Sequence, residues 1–118
     1  MPEKTEMSLQ KIAAVCHEAN RAYCEGIGDC SQPRWEDAPE WQIISAVDGV
    51  QYLLRNPQVS PEDIHNAWMQ QKTKEGWVFG DIKDPDKKTH PCMLPYLDLP
   101  LEQRRKDHLF SAVVKALI

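Results

Sequence analysis

No stretch of this 118-residue chain approaches the roughly 18 consecutive apolar residues of a membrane-crossing helix. The opening M-P-E-K-T-E-M lacks the apolar core of a secretory signal, so a cytoplasmic setting with reduced thiols is expected. Positive charge is not in excess: 14 Lys and Arg against 18 Asp and Glu leave a net charge of −4. That balance favours solubility and argues against a binder of phosphate backbones, so neither nucleic acid nor a membrane is expected as partner. Phosphate-cradling loops are missing too: there is no G-x-x-x-x-G-K-[ST], no G-x-G-x-x-G, and no carboxylate cluster for magnesium. Internal repeats and low-complexity tracts are absent. The four cysteines, Cys16, Cys24, Cys30 and Cys92, form no C-x-x-C knuckle. A zinc site shared with His17 and His90 is the sharper alternative, but that spacing fits buried, inert thiols better, and neither metal nor cofactor is expected.

What the chain does have is enough apolar residue, 42%, for one modest core, and nine prolines to turn sharp corners. The length predicts a single domain over residues 1–118, with a flexible N-terminus at 1–7. Ser8 can cap a first helix to about Glu25, with Leu9, Ile12, Val15, Cys16, Ala19 and Tyr23 on one stripe and Gly26 and Gly28 stopping it. Asp37 can cap a second, with Pro39 in its first turn, Trp41, Ile44, Val47 and Leu54 inward, and Asn56-Pro57 at its end. Ser60-Pro61-Glu62-Asp63 is a helix start, with a capping hydroxyl, proline at the first position and acids in the first turn. Ile64, Ala67, Trp68 and Gln71 mark one face of this third helix, and Gly76 ends it. Trp77-Val78-Phe79 is β-prone, and Met93 to Tyr96 is a second extended piece able to pair with it. Residues 81–88, with three aspartates and three lysines, read as a solvated loop. Asp98-Leu99-Pro100 opens a last helix with Leu109, Phe110, Val113, Val114 and Leu117 inward. The expected fold is mainly α with a minor β element: about four helices and a short two-stranded piece.

The stretch from His65 to Arg104 carries the most specific pattern. It combines H-x-x-W at His65 and Trp68 with a G-W-x-F-G turn at Gly76 to Gly80. A charged loop containing Asp84 follows, then His90-Pro91-Cys92 with Tyr96, then L-P-x-E-x-R through Leu99, Pro100, Glu102 and Arg104. So many positions in register resemble the RyR domain, the repeat of ryanodine receptors that also occurs as small stand-alone bacterial and phage proteins. The segment from His17 to Gln42 is similar to an extension of stand-alone prokaryotic members, so the resemblance covers about residues 10–117. It implies a non-catalytic module, in some members linked to adenine-nucleotide-type ligands, and places Trp68 and the Gly76-Trp77 turn around the ligand cleft. In the receptors two repeats stand in tandem with the ligand between them. This chain has one, and a homodimer could restore the second half.

The residues themselves leave more than one chemistry open. Trp35, Trp41, Trp68 and Trp77, with Tyr23, Tyr52, Tyr96 and Phe79, offer flat faces on which purines stack. Lys72, Lys87, Lys88 and Arg21 could meet a phosphate, and Asn20, Gln32 and His90 could read polar edges. The plainer reading puts most tryptophans in the core and leaves Asn20 and Arg21 on a solvated face. Cys92 and His90, two apart on extended chain, are the one tempting nucleophile and base, yet Pro91 is a rigid corner and no third group orients them. The candidate ligand-binding set is Trp68, Trp77, Lys72, His90, Pro91, Asn20, Arg21, Trp41 and Tyr96, with no catalytic and no metal-binding residue. The expected function is binding of a nucleotide or nucleotide-derived small molecule. The alternative is a protein-docking module without a small-molecule ligand.

Overall fold

Ser8 and Ser60 start helices as their sequence contexts require. In the computed structural model, which describes residues 8–118, the Ser8 hydroxyl accepts the Lys11 N–H at 3.1 Å and opens α1, Leu9–Gly26. The flexible N-terminus expected at residues 1–7 lies outside the described residues. Ile12, Ala13, Cys16, His17 and Cys24 are buried along α1, whereas Val15 is exposed. The inward stripe is thus rotated from the expected one. Small Ala13 and Cys24 let α2 approach, and the His17 ring turns inward to bond the Pro33 carbonyl at 2.6 Å.

The second helix starts later than its acids suggest. Asp37 closes a short 3-10 turn, Trp35–Asp37, because its carboxylate accepts from Arg34 Nε at 3.0 Å. Pro39 then takes the capping position, with no side-chain bond, and α2 runs Glu40–Arg55. Val50 and Leu53 are its buried residues; Trp41, Val47 and Leu54 are half-buried, and Ile44, expected inward, is exposed. Fully burying a side chain such as Leu53 contributes about 1.5–3 kcal/mol.

At α3, Pro61–Lys74, the capping box is complete: Ser60 Oγ accepts the Asp63 N–H at 3.1 Å, and the Asp63 carboxylate accepts the Ser60 N–H at 3.0 Å. Gly76 ends the helix at φ +92°, a region costly for side-chain-bearing residues, and the Trp77 N–H closes back onto the Lys72 carbonyl at 2.9 Å. Two-residue strands follow, β1 at Val78–Phe79 and β2 at Thr89–His90, paired in parallel with Val78 beside Thr89 and Phe79 beside His90. The expected partner, Met93 to Tyr96, is not a strand. The chain turns immediately after β2, where Met93 N–H meets the His90 carbonyl at 3.3 Å, and Tyr96–Asp98 form a 3-10 turn. The closeness of the strands depends on Gly80, where a Cβ would lie 2.6 Å from Thr89 Cβ.

The last helix, α4, spans Leu101–Leu117. Ser111 and Val114 are buried, while Leu109, Phe110, Val113 and Leu117 are half-buried. Phe110 lies against the backbone of α2, where a Cβ on Gly49 would be 3.3 Å from its ring. Among the described residues, four helices and one small sheet make the fold mainly α with a minor β element. The chain divides into two compact units: one ends at Pro57 and resumes over His108–Ile118, and the other is Gln58–Asp107. Ile12, Ala13, Cys16, Cys24, Val50, Leu53 and Val114 form the core of the first; Ile64, Trp77 and Leu99 are the buried apolar residues of the second. Among the described residues no helix is long and apolar enough to cross a membrane.

Candidate functional site

Positions 65, 68 and 72 share one face of α3, since residues three, four and seven apart recur on the same side of a helix. That face carries His65, Trp68 and Lys72 into the interior of the unit formed by Gln58–Asp107. His65 is almost fully buried. Its Nε2 lies 2.7 Å from the Leu94 carbonyl, which can only accept, so Nε2 carries the proton. Its Nδ1 faces Asp107 Oδ2 at 3.8 Å. The imidazole lies nearly parallel to the Trp68 ring, with centroids 5.7 Å apart, and tilted against Tyr96 at 6.1 Å. The Arg104 guanidinium sits 6.0 Å from the Tyr96 ring centre, and its Nε donates to the Leu99 carbonyl at 3.2 Å.

His90 joins the two tryptophans. It stands edge-on to Trp68 at 5.0 Å and to Trp77 at 6.2 Å. Its Nδ1 accepts the Cys92 N–H at 3.0 Å, which leaves the proton of the neutral ring on Nε2. Burial first, then the positive charges of Lys83, Lys106, Lys72 and His65, push its pKa down to about 3. His90 is therefore a neutral donor at physiological pH. Asp107 is displaced the other way, to about 7, by burial that Lys106 only partly offsets.

Trp77 and Lys72 are both buried, and the Lys72 ammonium lies 5.7 Å from the Trp77 ring centre and 3.5 Å from Glu75 Oε1. Lys88 Nζ donates to the Glu75 carbonyl at 2.7 Å. The Cys92 thiol donates to Gln103 Oε1 at 3.3 Å, while the imidazole nitrogen nearest Cys92 is occupied by its backbone N–H. The thiol thus bonds Gln103, and His90 Nδ1 is taken by the Cys92 backbone. None of the four cysteines is in a disulfide, and burial raises the Cys16 thiol to about 11, which keeps it protonated and inert.

Of the candidates read from the sequence, Trp68, Lys72, Trp77, His90, Pro91 and Tyr96 fall in this one unit, and rings and cation link all but Pro91, which is half-buried beside them. Asn20, Arg21 and Trp41 belong to the other unit. There, Arg21 is clasped by Glu18 at 2.9 Å, with Glu25 at 3.9 Å, and Trp41 is half-buried at the start of α2. Asn20 Oδ1 is buried without a hydrogen bond among the described residues. Gln32 accepts from Gln42 at 3.0 Å. His17 and Glu18, adjacent on α1, hold the segment before α2: His17 through Pro33, and Glu18 through the Trp35 N–H at 3.0 Å. Four participants lay outside the candidate set: Asp107 against His65, Arg104 over Tyr96, and Lys83 and Lys106 in the field of His90. His65, three residues before Trp68, and Arg104, in the L-P-x-E-x-R pattern, carried a signal; Asp107 and Lys106 are brought close by tertiary packing that no local spacing encodes.

The RyR domain family model matches residues 51–118, more than half of the chain and all of the unit that holds this cluster. It begins at residue 51, so the similarity read upstream, from about residue 10, lies outside the match. The pattern read at His65, Trp68, Trp77, His90 and Arg104 lies wholly within it, and on that match the chain belongs to the RyR domain family.

Proposed function

We propose that this RyR domain is a non-catalytic, cytoplasmic binding module for a small molecule of the nucleotide class, with an adenine nucleotide as the leading candidate. The reading rests on one observation: Trp68, only half-buried, is gathered with His90, Trp77 and Lys72 in a single cluster. A purine stacked on an indole gains about 1–3 kcal/mol without regard to base identity. The neutral His90 offers an N–H donor for a polar ring edge, and Lys72 supplies a cation for which a phosphate would compete with Glu75. The non-catalytic part is supported by the separate engagements of Cys92 and His90. Calorimetry against adenine mono-, di- and cyclic nucleotides tests it. Saturable heat with a raised melting temperature is expected; no heat and no shift at millimolar ligand would refute the reading.

A protein-docking role is favoured by a different observation. Val78, Phe79, Ile82, Leu97 and Leu101 are all large, apolar and exposed in the unit Gln58–Asp107. A stoichiometric protein partner from native cytosol, with no response to the nucleotide panel, would decide for docking.

A further inference from the structure

His65 and Asp107 meet in a way that calls for a proton. The Leu94 carbonyl takes the His65 Nε2–H at 2.7 Å, so the proton of the neutral ring is already committed there. Nδ1 is left with a lone pair, and it faces another lone-pair atom, Asp107 Oδ2, at 3.8 Å. Water softens that meeting little, because the His65 side chain is 4% exposed and that of Asp107 18%. A bare nitrogen and an ionised carboxylate held face to face in so poorly solvated a place repel one another. One further proton on either atom removes the repulsion. It makes a carboxylic acid beside a neutral imidazole, or an imidazolium beside a carboxylate, and either way the pair has no net charge. Loss of that proton leaves the pair negative. The other charged and titratable groups nearby are Glu62 on α3, Tyr96 in the 3-10 turn, and Arg104 and Lys106 on α4, with Lys72, Lys83 and His90 further along the cluster. His90 is already neutral, and Tyr96 holds its proton more tightly than an ordinary phenol, through burial first and then the charge of Asp107. Burial, only partly offset by Lys106, brings the Asp107 carboxyl up to about 7.

We propose that His65 and Asp107 together form a one-proton switch on the aromatic cluster. With the proton held, the pair is neutral and the cluster accepts an anionic ligand; with the proton released, the negative pair repels it. The charge changes beside the ring assigned to stacking, since His65 lies nearly parallel to Trp68 and tilted against Tyr96. The bond to the Leu94 carbonyl fixes the imidazole in both states, so the switch alters charge rather than shape. Linkage runs in both directions: protons tighten the hold on the anion, and the anion draws in a proton. Affinity is therefore high below the titration of the pair and falls as pH rises through it. The effect on a ligand rests on the nucleotide reading above, whereas the shared proton stands without it.

Nuclear magnetic resonance of the ligand-free protein from pH 5 to 9 tests the proton. The His65 ring nitrogens and the Asp107 carboxyl carbon should titrate with one common midpoint near pH 7, and Asp107→Asn should displace the His65 titration. Calorimetry with a cyclic adenine mononucleotide, whose phosphodiester keeps a single charge over this range, tests the switch. Affinity should be about three- to tenfold higher at pH 6 than at pH 8, the size expected of one unit charge roughly 10 Å away in a half-buried site. Heats measured at pH 7.5 in buffers of different ionisation enthalpy should show net proton uptake on binding. Asp107→Asn, neutral throughout, should flatten the pH dependence and remove the uptake. Two separate midpoints, or no titration of the pair between pH 5 and 9, would overturn the shared proton and the switch with it. A shared titration with an affinity that is level from pH 6 to 8, or that changes equally in Asp107→Asn, would overturn the switch. A shared titration with no nucleotide bound at any pH would overturn the ligand reading and the switch that depends on it, leaving the shared proton in place.

Discussion

His90 and Asp107 predict opposite pH dependences of stability in one small unit. The folded His90 binds its proton more weakly than an unfolded histidine, with a pKa of about 3 against 6.5. Its contribution to stability is present above pH 6.5 and is lost as pH falls from there toward 3. The folded Asp107 holds its proton more tightly, with a pKa of about 7 against 3.8. Its contribution is fully present below pH 3.8 and is lost as pH rises to 7. Between about pH 4 and 6.5 the two slopes, each at most about 1.4 kcal/mol per pH unit, oppose one another and nearly cancel. Each contribution amounts to about 4 kcal/mol across its window at full strength, and about 2 once the partial solvent access of both groups is allowed for. Urea melts of the parent, Asp107→Asn and His90→Gln at half-unit steps from pH 3.5 to 7.5 separate them. The stability of the parent minus that of Asp107→Asn should fall as pH rises from 4 to 7. The stability of the parent minus that of His90→Gln should rise from pH 3.5 to 6.5. Differences that stay flat across those windows would refute the assigned environments, and a reversal of either sign would mean the group is ionised where neutrality is inferred.

Two further outcomes follow from single positions. Trp68→Ala should abolish nucleotide binding while urea melts show a folded domain, since the ring is half-buried and costs less than the roughly 3–5 kcal/mol of a fully buried aromatic; unfolding, or binding at the parental affinity, would remove Trp68 from the stacking role. Gly80→Ala should destabilise by about 1–3 kcal/mol because its Cβ would clash with Thr89 at 2.6 Å, whereas Gly26→Ala, with nothing within 4 Å, should change the thermal midpoint little or raise it.

The helices were legible where a local device fixes them. Ser8 and the Ser60–Asp63 box act within four residues, so spacing alone located both starts. Asp37 misled because its carboxylate has a competing local partner, Arg34, three residues before it. The strand partner was misplaced because pairing is tertiary: β1 chose Thr89–His90, which the Asp84 turn presents, over the more apolar Met93 to Tyr96. The rotated face of α1 has the same origin, since His17 is polar in sequence yet turned inward by a carbonyl sixteen residues away. At the site, Trp68, Trp77 and His90 were recoverable from their shared pattern with the RyR domain. Asp107 was not, because its pairing with His65 exists only once α4 is docked within that unit.

The division of α4 between the two units has a consequence for synthesis on the ribosome. Gln58–Asp107 is a single uninterrupted length of chain, whereas its companion needs His108–Ile118 in addition to everything up to Pro57. The earlier-made helices α1 and α2 must therefore wait, with buried Val114 of their own unit still unmade, until all of the aromatic cluster has been translated. At about 5–20 residues per second that delay lasts several seconds. The segment made second has the whole of its own sequence first, and the segment made first is completed last.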